Sequence, residues 1–156
     1  MPSVLLVDDE TGMRELLNRW LLADGHHALE ARTAEEALDL LGTVPDIAVV
    51  VADMQMPGHG GAWLVGEMQK RFPNVAVILA TADQSVPGTV SLQPAVNGYI
   101  VKPVTSRTLL SHVASGLAWN AARRVAPKDA GQSSDPFNAW LDQKLNKGHG
   151  DGGDRG

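Results

Sequence analysis

No cysteine occurs among the 156 residues, which excludes a disulfide framework and any thiolate metal site and fits a reducing cytoplasm. Also missing is any apolar run near the roughly 20 residues that span a bilayer, so no membrane partner is expected. The opening stretch MPSVLLVDDE has no basic segment ahead of its short apolar run and two aspartates directly after it. It therefore reads as a first strand and not as a secretion signal. Basic stretches are lacking as well: none exceeds the ARR at 122–124, and the formal net charge is -5. Both facts argue against direct DNA binding. What is present is ordinary for a soluble globular protein, with 44% hydrophobic and 20% charged residues. A chain of this length makes one domain, or one domain with a tail, and buries about two thirds of its unfolded surface.

Four apolar runs stand out: SVLLV (3–7), DIAVVVA (46–52), NVAVILA (74–80) and GYIV (98–101). They are rich in Val and Ile and nearly continuous, as buried parallel strands are. Helical patterns lie between them. Met13, Leu16, Leu17, Trp20 and Leu21 repeat at helical spacing, and Gly25 closes that helix. HHALEA (26–31) reads as a weaker, edge-like strand, and a capping box of Thr33 and Glu36 opens the next helix, which carries Ala37, Leu38, Leu40 and Leu41. Strand and helix alternate five times, which predicts an α/β fold: a five-stranded parallel sheet with helices on both faces. Ligands in such folds sit at the carboxyl ends of the strands.

The regularity breaks twice. Between 83 and 97, where a fourth helix belongs, Pro87, Gly88 and Pro94 leave room for a short or frayed helix only. After residue 125 the composition turns polar and Gly-rich, and a disordered extension over 123–156 is expected. Inside it, Asp135 and Pro136 precede a stripe of Phe137, Trp140, Leu141 and Leu145, which reads as a short amphipathic helix over 135–146.

The strand ends carry the chemistry. The first strand ends in Asp8, Asp9 and Glu10, and the third ends in Asp53 before the loop MQMPGHGG. Carboxylates gathered at one rim repel unless a cation sits among them, and Mg²⁺, a hard ion that takes oxygen ligands and keeps several waters, suits such a site. The fourth strand ends in Thr81 and the fifth in Lys102 and Pro103. Carboxylate, cation, hydroxyl and ammonium together suit phosphoryl transfer onto Asp53, with the glycine-rich loop folding closely over the phosphoryl group.

In this order VLLVDDE, VVVADMQMPGHGG, ILATA and GYIVKP resemble the receiver domains of two-component response regulators, over about residues 3–122. The resemblance implies a flavodoxin-like doubly wound fold for a domain at 1–122, and phosphorylation of Asp53 by a sensor histidine kinase or phosphotransfer protein. It implies Mg²⁺ held by Asp9, Asp53 and the main-chain carbonyl of Gln55, with Asp8 acting through water. Thr81 and Tyr99 would form a switch pair, Lys102 would contact the phosphoryl group, and Pro103 would follow a cis peptide bond. The output would pass to a downstream protein partner, with a second copy of the chain as a further candidate. Two departures stand against the pattern. Gly60 occupies a place where the family usually has an acidic residue, and the two prolines make the face around 83–101 and the last helix atypical.

Two rival readings remain at this point. A phosphatase-like hydrolase would use Asp53 as nucleophile but usually needs an acid two residues later, where Gln55 stands. A degenerate receiver would serve as an interaction module only. Around the site, His59 reads as a solvated loop residue or a ligand, and Trp63 as packing or partial cover. On the last helix Leu109, Leu110, Val113, Leu117 and Ala121 share one face. Trp119 falls opposite them, exposed to a partner or folded under the tail.

Overall fold

The computed structural model describes residues 2–82 and 96–124. The frayed helix expected over 83–97, apart from its last two residues, and the extension with its 135–146 stripe, apart from residues 123 and 124, lie outside the described residues.

Five parallel strands form one sheet in the order β2-β1-β3-β4-β5. They are β1 (Ser3–Val7), β2 (His27–Ala31), β3 (Ile47–Asp53), β4 (Ala76–Thr81) and β5 (Gly98–Val101). Four helices accompany them among the described residues: α1 (Thr11–Ala23), α2 (Ala34–Thr43), α3 (Gly61–Arg71) and α4 (Ser106–Arg124). This is the flavodoxin-like, doubly wound arrangement, and the strand order reverses between β1 and β3. HALEA of β2 is an edge strand, as its weaker pattern predicts.

The continuous apolar runs have a direct cause. Side chains alternate across a strand, and each face of the sheet has its own core. Leu5, Val7, Val50, Ala52, Val77 and Leu79 pack with α2 and α3 on one side. Val4, Leu6, Val49, Val51, Ala76 and Ile78 pack with α1 and α4 on the other. Every position of β1, β3 and β4 is buried, and each fully buried Val or Leu contributes about 1.5–3 kcal/mol. The local signals act as expected: Thr33 Oγ1 accepts from the Glu36 N–H at 3.1 Å, and Gly25 takes a φ of +84° just past α1, a conformation that disfavours residues with a Cβ.

The last helix is rotated from its sequence-based expectation. Its buried residues are Leu109, Val113, Gly116 and Asn120, whereas Ala121 is exposed. Gly116 lets the helix lie close to the sheet, since a Cβ there would stand 3.1 Å from Val49. Asn120 is buried because its Nδ2 donates to the Asn74 carbonyl at 2.7 Å, which satisfies both groups. Trp119 is accordingly half-buried and packs against the core on the α1 side, not out in solvent.

Candidate functional site

The register of the sheet assembles the site. Val7 of β1 pairs with Ala52 of β3, so the next residues along, Asp8 and Asp53, arrive together at the carboxyl rim. In their strands Asp8 follows Val4 and Leu6, and Asp53 follows Val49 and Val51. Alternation therefore turns both carboxylates to the same side. Carboxylate oxygens of Asp8, Asp9 and Asp53 all lie within 4.8 Å of one another. Asp8 and Asp53 are buried and Asp9 is exposed.

Two neighbours hold Asp53: Oδ1 accepts from the Gln55 N–H at 3.2 Å and Oδ2 from Lys102 Nζ at 3.2 Å. Lys102 reaches there because β5 pairs Val101 with Thr81, whose carbonyl accepts from the Lys102 N–H at 2.7 Å. The Lys102–Pro103 peptide is cis. Asp8 Oδ1 accepts from the Glu10 N–H at 2.9 Å. Burial is the main cause that pushes the Asp8 carboxyl above its ordinary value, and the charges of Asp53 and Asp9 add to it. The Glu10 N–H and Lys102 pull the other way.

One ammonium thus faces three carboxylates, a set with surplus negative charge and only oxygen donors, and a hard divalent cation such as Mg²⁺ fits it. Thr81 is buried at the end of β4. Tyr99 lies two residues along β5 from Val101, half-buried against the α2 and α3 side, and burial raises its phenol above the usual value.

The loop after β3 closes on itself. Gly58 takes a φ of +78°. A Cβ on Gly60 would stand 2.6 Å from the Met54 carbonyl oxygen, and one on Gly61 2.7 Å from that of Asp53. The last two glycines are therefore required by contact with their own strand end, a nearer cause than cover over a bound group. Gly60 stands at the N-cap of α3 without a side-chain cap, and backbone bonds do that work: the Gly61 N–H donates to Met54 O at 3.0 Å. The helix start is thus secure without the acidic residue.

Residues 4–114 match the model of the response regulator receiver domain. The chain belongs to this family. As a receiver it is similar to the response regulator protein FleR of Pseudomonas aeruginosa, 38% identical over 113 residues, which are 72% of this chain and 24% of that protein. The chemotaxis protein CheY homolog of Campylobacter jejuni is 34% identical over 111 residues, 69% of this chain and 85% of that one. The crystal structure of response regulator protein TrrA from Thermotoga maritima in complex with Mg²⁺-BeF is 32% identical, has a TM-score of 0.68, and overlaps 75% of this chain and all of that one. The chain spans about a quarter of the length of FleR.

Some residues of this receiver escape sequence reasoning. Arg14 is 6% exposed and donates from Nη1 to the Asp8 carbonyl at 2.6 Å and from Nε to Glu30 Oε1 at 3.1 Å. The available signal is a basic residue on the buried stripe of Leu17 and Leu21, where an arginine must be paired. His59 is turned to the outside: its ring stacks on Trp63 with centroids 3.8 Å apart, and Nδ1 bonds Glu35 Oε2 at 2.7 Å. Trp63 packs against the α2 and α3 core.

Proposed function

We propose that this receiver accepts a phosphoryl group on Asp53 from a sensor histidine kinase or a phosphotransfer protein and acts as a conformational switch for a downstream protein. Its receiver domain spans 1–122, with 123–156 as an extension. The reading is supported above all by Asp53 at the rim, with one oxygen bonded to Lys102 and two further carboxylates within 4.8 Å. A carboxylate oxygen of Asp53 attacks phosphorus and forms an acyl phosphate as the donor's bond to phosphorus breaks. Lys102 is already within reach of the charge that the transferred oxygens bring.

Asp9, Asp53 and the Gln55 carbonyl would hold Mg²⁺, with Asp8 contributing through water; when bound, the ion neutralises phosphoryl oxygens. The complex of TrrA with Mg²⁺-BeF supports this ligand class. Thr81 and Tyr99 are the switch pair: the hydroxyl at the end of β4 senses the phosphoryl group and the phenol on β5 changes the surface. No described helix is long and apolar enough to cross a membrane; the cytoplasm is the location that membership of the receiver family supports. The protein is a switch and does not turn over a third molecule.

Incubation of the full chain with Mg²⁺ and acetyl phosphate, followed by peptide mass mapping, tests the reading. One phosphoryl adduct on Asp53 is expected in the parent and none in Asp53→Asn. An adduct on another residue, or none in the parent, overturns it.

A further inference from the structure

Asp8 and Asp9 stand on a turn, and a turn holds a metal only as well as its own backbone is held. The Asp8 N–H donates to the Ala31 carbonyl of β2 at 3.1 Å. The Asp8 carbonyl accepts from buried Arg14 Nη1 at 2.6 Å. These two bonds fix both peptides flanking Asp8, and the second peptide sets where the Asp9 carboxylate stands. The same guanidinium reaches Glu30 Oε1 on β2 at 3.1 Å and Thr11 Oγ1 at 3.4 Å, and Glu30 Oε2 also accepts from Asn18 Nδ2 at 2.9 Å. One planar fork thus ties the end of β1, the edge strand β2 and the first turns of α1.

We infer that Arg14 is a positioning residue for the metal-holding turn, and that Glu30 is the counter-charge that keeps its guanidinium from opposing a bound dication. The inference rests on the proposed Mg²⁺ and Asp53 reading and assigns it two residues outside the acidic cluster. Lysine cannot replace the fork, because an ammonium is a compact point charge without planar, divergent donors. Removal of the Glu30 charge leaves a positive group uncompensated beside the turn. Both changes weaken Mg²⁺ binding through different physics, while the nucleophile itself is untouched.

Calorimetric titration of the full chain with Mg²⁺ tests this, alongside labelling of Asp53 by acetyl phosphate at low and saturating Mg²⁺. Arg14→Lys and Glu30→Gln should each raise the Mg²⁺ Kd about tenfold, the scale for groups that orient metal ligands. Labelling should fall at low Mg²⁺ and recover to within about twofold of the parent at saturation, as expected when only metal occupancy is impaired. Leu17→Ala on the same buried stripe is the control: it should lower the melting temperature and leave the Mg²⁺ Kd unchanged. If Arg14→Lys does not fold, Glu30→Gln decides the matter. A Kd in the folded variants equal to the parent's, or a shift in Leu17→Ala as large as theirs, overturns this inference alone. A parent that neither binds Mg²⁺ nor is labelled on Asp53 overturns the underlying reading as well.

Discussion

The turn after β1 is held by one backbone bond, from the Asp8 N–H to the Ala31 carbonyl, and by side chains: Arg14 grips the Asp8 carbonyl, and Asp8 Oδ1 accepts from the Glu10 N–H. The loop after β3 has a like bond from the Gln55 N–H to Asp53 Oδ1, but its far end is held by backbone: the Gly61 N–H bonds the Met54 carbonyl, and Gly60 and Gly61 press on Met54 and Asp53 with no room for a Cβ. Both deliver carboxylates to the same rim, but only the second is confined by close backbone contact at its glycines. Gly12, at the start of α1, shows the contrast, because a Cβ there meets nothing within 4 Å.

The largest effect follows from that contrast. Gly60→Ala and Gly61→Ala force a Cβ against backbone oxygen and should each cost about 1–3 kcal/mol, as overpacking does. Gly12→Ala should instead stabilise by about 0.4–1 kcal/mol, through the lower chain entropy of the unfolded state. Urea denaturation measures all three. Equal destabilisation at positions 12 and 60 would show that the close approach to the Met54 carbonyl is not what makes Gly60 necessary.

A charge test sharpens the same comparison from the other side. Burial, with Asp53 and Asp9 nearby, raises the Asp8 carboxyl above its ordinary 3.8. A group whose folded value is raised contributes stability that is fully present below the unfolded value and lost as pH rises through the folded one. At neutral pH and without Mg²⁺, Asp8→Asn should therefore melt above the parent, and the gap should close as pH falls below about 3.8, where both side chains are neutral. Millimolar Mg²⁺ should raise the parent's melting temperature more than the variant's, since the ion binds the folded state alone. A gap that does not change with pH would show that charge burial is not its cause.

What the sequence reveals, and what it hides, follows the same division. Strands, helices and the rim residues are legible because alternation and helical spacing act over short ranges, and Asp8, Asp9 and Asp53 come at the ends of legible strands. Arg14 is not, since its partners lie on the turn after β1 and on β2, and only the tertiary fold makes a buried guanidinium affordable. The rotation of α4 is hidden for a like reason: Gly116 and Asn120 look neutral in a helix until Val49 and the Asn74 carbonyl are placed opposite them. Trp119 follows that rotation to a half-buried place against the core. The glycines after β3 are visible as a cluster, but their separate duties require the distances to Met54 and Asp53.

The smallest effect is expected at the outer edge of the β3 loop, where His59 bonds Glu35 of α2 across exposed surface and stacks on Trp63. The hydrogen bond from His59 is the main cause that holds the Glu35 carboxyl below its ordinary 4.5. For a depressed carboxylate the sign is reversed from Asp8: the contribution is present above the unfolded value and is lost as pH falls through the folded one. Solvent screens an exposed pair, so Glu35→Gln should shift melting far less than Gly60→Ala. The indole N–H resonance of Trp63 is the better probe, because the stack reports His59 orientation directly. Parent and Glu35→Gln should differ at about pH 6 and converge as pH falls through the depressed Glu35 value, with the change in the parent following the Glu35 titration. Identical Trp63 resonances in the two proteins throughout the titration would mean that the imidazole keeps its place by stacking alone. The outer edge of the loop would then owe nothing to the bond between His59 and Glu35.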